Sequence, residues 1–290
     1  MKNCFITVNY NDYKTTYNLI QNIENYDVVD EIVIVDNDSK DDSYEKLLKL
    51  RNNKITVLKN SSNKGYGSGI NLGSKYLIDK YKKCNIIISN PDIVIANEDV
   101  IVDLVKTLSL DVAVVAPVIK EHVGYSKGWK QPTPWLDILS NIVYLHKKVR
   151  NNYLLYKDDY YNEPIVEVDI VSGCFFLIRS DALKKINFFD ENVFLYYEEN
   201  ILCSKLKENN LKTVINTGVE VFHNHSVTID KNINKINKYK ILKKSQMYFE
   251  KNYNKANIFE IFLLWITSKI TLLIYYIFNR KKINKYKKTT

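Results

Sequence analysis

Residues 85–92 read Asn-Ile-Ile-Ile-Ser-Asn-Pro-Asp. The short β-branched run at 86–88 stops at once on Ser89-Asn90-Pro91-Asp92, the pattern of a buried central strand that ends by presenting one carboxylate. Pro91 has no N–H for a ladder and fixes its own φ, so pairing ends there and Asp92 turns away from the sheet. In open α/β sheets, ligands sit outside the carboxyl ends of the strands. A carboxylate at that edge, beside a diphosphate, is a natural ligand for Mg²⁺ or Mn²⁺. An Asn-Pro-Asp turn that only links strand to helix has the same local signature, so the neighbouring segments decide.

Residues 3–8, 31–35 and 54–58 are further short apolar runs, separated by helical spacings over 13–26, up to residue 50, and from Gly65 to about residue 81. A helix over about 97–108 and a strand at 112–116 continue the alternation, which predicts a mostly parallel sheet with helices on both faces. Ser39 or Asp41 is expected to cap the second helix. Three strands end in polar clusters, at 9–12, 36–39 and 90–92. Parallel neighbours bring such ends to one edge, where Asp36 could accept from a pyrimidine N3–H and Asp92 could hold the metal.

The stretch from Gly65 to Gly73 holds four of the eight glycines and enters a helix, whose free N–H groups favour an anion. It is not a dinucleotide fingerprint, because Ile70 occupies the sixth position and the loop follows the third strand rather than the first. Tight turning and close packing are the plain alternative use of these glycines.

Residues 118–163 break the rhythm, with Trp129, Pro132, Pro134, Trp135, a helix expected over 136–148 and a polar run at 151–162. This reads as an insertion over the sheet edge that binds an acceptor or forms a lid, carrying Trp129 and Trp135. Strands are expected at 165–171 and 172–179, a short helix at 181–186, and two short strands flanking Gly218. The aromatic run 194–197 leads into Glu198-Glu199 at the start of a helix over 199–209. Two acids there can merely complement the helix dipole. An apolar approach also raises a carboxyl pKa toward that of a general base for a hydroxyl. His223-x-His225 suits either a metal or diphosphate contact or a core position.

Apolar content of 46% and charged content of 26% over 290 residues are those of a globular chain. The four cysteines are isolated and lack zinc-site spacing, as expected of reduced cysteines in the cytosol. No leader is expected, because Lys2 and Asn3 run straight into a strand. The net charge of +9 is uneven: residues 235–290 carry fourteen Lys or Arg against Glu250 and Glu260, net +12, leaving −3 over residues 1–234. Nucleic-acid binding is not expected, since this charge flanks an apolar helix rather than a groove-reading face. Residues 236–253 read as a Lys-rich amphipathic helix. Residues 258–278 are long enough to cross a bilayer, but Glu260 and Lys269 are costly inside one. An interfacial helix with residues 280–288 on anionic headgroups is expected, a homodimer through these helices being the alternative.

Together these stretches resemble the inverting family-2 glycosyltransferases of GT-A fold, in appearance closest to the rhamnosyltransferases of bacterial surface-polysaccharide assembly. The resemblance rests on Val8-Asn9-Tyr10-Asn11, Val35-Asp36-Asn37-Asp38-Ser39, the run from Asn63 to Asn71, Asn90-Pro91-Asp92, Ser172-Gly173-Cys174-Phe175, Phe189-Asp190-Glu191, residues 194–199 and His223. It implies a Rossmann-like GT-A domain over 1–230, split into a nucleotide-sugar half (1–117) and an acceptor and base half (118–230), with membrane-attaching helices over 231–290. Donor contacts would come from Asn9, Asn11, Asp36, Asn63, Gly65, Gly67, Asn71, Asn90 and Asp92, with Asp36 on the nucleobase. Asp92, joined by His223, would hold Mg²⁺ or Mn²⁺. Glu199 would be the base, with Glu198 beside it. Asp190, Glu191, Trp129 and Trp135 would shape the acceptor side. The implied donor is dTDP-L-rhamnose or a UDP-sugar, and the implied acceptor a polyprenyl-linked saccharide at the cytoplasmic membrane face. Two departures stand out: Asn90 leaves one carboxylate in the metal motif, and Ile201 stands where many relatives carry an acid. A nucleotidyltransferase would need a basic glycine-rich loop after the first strand, which residues 9–12 lack. A catalytically silent scaffold is the other alternative.

Overall fold

Strands β1 (Lys2–Asn9), β2 (Glu31–Asp36), β3 (Ile55–Lys59) and β4 (Cys84–Ser89) pair in parallel in the order 3-2-1-4. Every residue of β2 and β4 is buried, as central strands under helices require. Alternation along β1 divides the core. Cys4, Ile6 and Val8 face one layer, and Phe5 faces the other, where α1 (Tyr13–Ile23) and α2 (Ser43–Leu48) supply Leu19, Ile20, Ile23 and Leu47. The computed structural model describes residues 1–224 and 233–286, with side chains as far as residue 277. His225 and the basic side chains of 280–288 therefore lie outside the described residues.

Helix α3 (Tyr66–Tyr81) packs on the first of these layers. A β-carbon at Gly69 would come 2.9 Å from Val8, and one at Gly73 would come 3.1 Å from Ile6, so both glycines let the helix settle on the sheet. Gly65 has φ +106°, and a β-carbon there would meet the Phe194 carbonyl oxygen at 2.2 Å. Gly65→Ala is therefore expected to cost about 3 kcal/mol or more of stability, read as a fall in the denaturation midpoint. A change below about 1 kcal/mol would show that the two loops are not held this closely.

The rest of the sheet is mixed. After β5 (Ile93–Val94), α4 (Asp99–Thr107), β6 (Val112–Lys120) and β7 (Tyr125–Ser126), the insertion forms α5 (Pro134–Ser140) and α6 (His146–Val149). Then come β8 (Ile165–Glu167), β9 (Phe175–Arg179), α7 (Ser180–Lys185), α8 (Glu198–Glu208) and β10 (Lys212–His223). Strand β9 sits antiparallel between β4 and β6, and β10 pairs in parallel with β6. The order across the sheet is 3-2-1-4-9-6-10-5, with helices on both sides, as the strand and helix alternation predicted for its mostly parallel first half.

Four local expectations are corrected. The helix expected over 136–148 is broken into α5 and α6, followed by a π-helical turn at Arg150–Leu154. The break falls at buried Asn141, whose side chain donates to Thr267 at 3.1 Å and whose carbonyl accepts from Thr271. The two strands at Gly218 are one strand, β10, with an irregularity between Asn216 and Glu220. The strand expected over 165–171 stops at Glu167. Helix α2 starts at Ser43 with no side-chain cap; the Ser39 hydroxyl accepts from the Asn11 amide and the Asp41 carboxylate from the Ser43 amide.

Two helices complete the chain, α9 (Lys235–Asn252) and α10 (Ile258–Tyr286). Residues 258–277 of α10 have a mean hydropathy of 1.8, long and apolar enough by composition to cross a membrane. Its orientation is inverted relative to a core helix. Leu264, Ser268 and Thr271 are buried against the protein, while Ile258, Phe259, Phe262, Trp265, Ile270 and Leu273 are exposed.

Candidate active site

The registers Asn9↔Asp36 and Thr7↔Ser89 bring the ends of β1, β2 and β4 to one edge. Because β9 runs antiparallel to β4, with Phe175 opposite Ser89, the loop Ser172-Gly173-Cys174 reaches the same edge. A cavity of about 300 Å³ opens there. Its walls include Asn63, Gly65, Asn90, Asp92, Glu198, Glu199 and His223 of the residues expected from sequence.

Asp92 lies in this wall because Pro91 ends β4. His223 reaches it because β10 pairs antiparallel with β5, where His223 is opposite Ile93. The Asn224 amide donates to the Asp92 carbonyl at 2.9 Å, fixing the approach. His223 Nε2 then stands 3.2 Å from Asp92 Oδ1. A carboxylate oxygen and an imidazole nitrogen at that separation are a donor pair that fits a divalent cation sharing its other positions with diphosphate and water. Among the described residues, no cluster of three or more His, Cys, Asp or Glu could form an all-protein metal cage.

Across the cavity, Glu198 and Glu199 open α8. The chain reaches them through two consecutive left-handed residues, Tyr196 (φ +69°) and Tyr197 (φ +67°), a strained approach for aromatic side chains. The surrounding structure holds it in place. Ser245 Oγ donates to the Leu195 carbonyl at 2.8 Å, Tyr197 OH donates to Asp137 Oδ2 at 2.7 Å, and the Tyr197 ring packs 5.4 Å from that of Phe249. Burial, then the charge of Glu199, pushes the Glu198 carboxyl up to about 8; burial also raises Glu199. The pair titrates as a unit.

Other expected site residues lie outside this cavity. Asp36 is wholly buried, its carboxylate bonded to Asn9 Nδ2 (2.9 Å) and the Ser39 amide (3.0 Å), so it braces the floor. Asn11 Oδ1 accepts from the Lys40 amide, and Gly67 faces Phe189. Asn71 clamps the Phe189 backbone and donates to Glu191 Oε1 at 2.8 Å. Asp190 accepts from Tyr248 and Tyr253, tying α9 to the domain. Trp135 is 49% exposed on the outer side of α5. Trp129 lines a second cavity of about 470 Å³ between the insertion and α9.

Sequence reasoning gave no role to Asn37, Tyr10 or Tyr66, which line the first cavity. Asn37 donates to Asn63 Oδ1 and to the Gly65 carbonyl, both at 3.0 Å, linking two of its walls. Strand parity was the available signal, since the residue after Asp36 faces the opposite way.

Comparison with known proteins comes to one group. The chain is 27% identical over 222 residues to the low-salt glycan biosynthesis hexosyltransferase Agl10 of Haloferax volcanii, covering 77% of this chain and 67% of that protein. The fold matches that of GalNAc-T7 with UDP, GalNAc and Mn²⁺ (TM-score 0.61, 14% identity) over 86% of this chain, which spans half the length of that structure. It also matches the mannosyltransferase PcManGT from Pyrobaculum calidifontis in complex with GDP-Man and Mn²⁺ (TM-score 0.58, 12% identity), over 95% of this chain and 75% of that one. Residues 4–187, more than half of the sequence, match the family model for glycosyl transferase family 2, and the chain belongs to that family.

Proposed function

We propose that the protein transfers a sugar, with inversion, from a pyrimidine nucleoside diphosphate to a hydroxyl of a polyprenyl-linked saccharide at the cytoplasmic face of the membrane. The donor is dTDP-L-rhamnose, a UDP-hexose or a UDP-hexosamine. One observation carries this reading: the Asp92–His223 pair and the Glu198–Glu199 pair line a single cavity at the carboxyl edge of the sheet.

Asp92 and His223 would hold Mn²⁺ or Mg²⁺, whose charge stabilises the departing nucleoside diphosphate. Glu199 takes the proton of the acceptor hydroxyl as its oxygen bonds to the anomeric carbon. The bond to the diphosphate oxygen breaks on the opposite face, and the configuration inverts. Glu198, still protonated, donates to Glu199 and keeps a second negative charge out of the cavity. Tyr66, Phe189 and Phe194 supply apolar wall that limits water beside the base. The inverted helix α10, with its exposed apolar side, favours attachment to a lipid surface.

Thermal unfolding with nucleotides tests the reading. Saturating UDP or dTDP with Mn²⁺ is expected to raise Tm by several degrees, since a ligand at about 100 times its Kd adds about 2.7 kcal/mol. The nucleotide that stabilises most identifies the donor. No shift with any nucleotide, with or without Mn²⁺, would favour a silent scaffold.

A further inference from the structure

The second cavity and the outer apolar surface share helix α5. Asp137, Ser140, His146 and Arg150 of the insertion and Leu242, Lys243 and Gln246 of α9 line the cavity. Asn141, at the end of α5, is bonded to Thr267 and Thr271 of α10, so the two elements pack side by side. Around that junction Trp135, Leu139, Ile142, Val143 and Tyr144 are all exposed, Tyr144 at 91%. Phe262, Trp265 and Leu273 of α10 are exposed as well, so both packed elements carry large apolar side chains at the surface. Soluble surfaces rarely carry that many large apolar groups together without a partner.

Inside the cavity the chemistry changes. Lys127, His146, Arg150 and Lys243 face Asp137 and Asp158, and Trp129, Tyr125, Tyr156 and Tyr161 supply ring faces. The lining carries Lys127, Arg150 and Lys243 against Asp137 and Asp158, three cations to two carboxylates, and Asp137 already accepts from Tyr197. Lys127 Nζ sits 4.9 Å above the Tyr161 ring. Ring faces suit the C–H faces of a sugar, and an Arg and Lys pair suits a phosphate. At about 470 Å³ the space lies within the range of ordinary small-molecule sites. The two cavities adjoin along the chain: Tyr196 and Glu198 line the first, and Tyr197 lines the second.

We propose that the second cavity receives the phosphate-linked sugar of an isoprenoid-borne acceptor while its lipid lies along the α5–α10 surface. This rests on the transferase reading and adds where and how the acceptor binds. An isoprenoid phosphate is favoured over a bilayer phospholipid because its charge is joined directly to a sugar, which the aromatic walls need. Trp135, expected from sequence to touch the acceptor sugar, would instead touch its lipid.

Equilibrium binding to the full-length protein in mild detergent tests this with three probes: farnesyl diphosphate, inorganic diphosphate, and phosphatidylglycerol in mixed micelles. Farnesyl diphosphate is expected to bind at least about 10-fold more tightly than inorganic diphosphate, the lipid chain adding apolar burial. The double variant Arg150→Ala with Lys127→Ala should bind it at least about 10-fold more weakly, through loss of charge-assisted bonds. The same variant should keep full stabilisation by nucleoside diphosphate with Mn²⁺, which shows that it is folded and its donor cavity intact. Equal binding of farnesyl diphosphate by variant and wild type, or no binding by wild type, overturns the proposal. So does phosphatidylglycerol competing as well as farnesyl diphosphate, which makes the cavity a phospholipid headgroup site. Should farnesyl diphosphate behave as expected while no nucleotide stabilises the protein, the transferase reading fails and the amphiphile site stands.

Discussion

Glu199→Gln is expected to keep the fold and the response to nucleotide while transfer falls by about 10²–10⁴-fold, the usual contribution of a general base. Burial raises both carboxyls, Glu198 to about 8, and the two titrate as a pair; Glu199 is taken as the base from its place in the motif. Glu198→Gln imitates the protonated form and should cost less than Glu199→Gln. The sign in pH follows: Glu198 stays neutral below about 8 and ionises above it, placing a second charge in the cavity. The wild-type rate profile should therefore show an inflection near that pH, absent from Glu198→Gln. Near-normal turnover by Glu199→Gln beside an inactive Glu198→Gln would exchange the roles.

Asp92→Asn is the second large effect. The substitution keeps the side chain's shape and leaves the Asn224 amide on the residue 92 carbonyl, so folding should be unaffected. With one carboxylate in the metal motif, its loss leaves, among the described residues, the imidazole of His223 as the protein donor there. Stabilisation by nucleoside diphosphate with Mn²⁺ should shrink to that seen without metal, and transfer should fall by about 10²-fold or more, equivalent to about 3 kcal/mol. Full metal-dependent stabilisation of Asp92→Asn would place the ion elsewhere.

The strand edge was legible because two local signals agree there. β-Branched runs mark parallel strands, and the polar clusters that end them converge once those strands pair. Which polar group faces a ligand was less legible, because it depends on parity and on partners across the sheet. Asp36 and Asn9 look equally exposed as sequence, yet they bond to each other, and it is Asn37 that reaches the cavity. Of the glycine run, Gly69 and Gly73 pack on Val8 and Ile6, Gly67 faces Phe189, and Gly65 lines the cavity. The insertion was least legible. Its helix breaks at Asn141 because of partners in α10, more than a hundred residues away. Nothing in the local spacing of 136–148 carries that information. Trp135, by contrast, is 49% exposed and lines neither cavity.

The position of β9 between β4 and β6 governs the order in which the chain can assemble. β4 ends at Ser89 and β6 at Lys120, yet the strand that joins them begins at Phe175. While the ribosome makes the intervening segment, β4 presents an open apolar edge and β6 has no place in the sheet. Pairings this distant in sequence are slow to form, and exposed strand edges are where nascent chains associate wrongly. Yield of folded protein should thus depend more on synthesis rate and temperature than the equilibrium stability of the finished domain would imply.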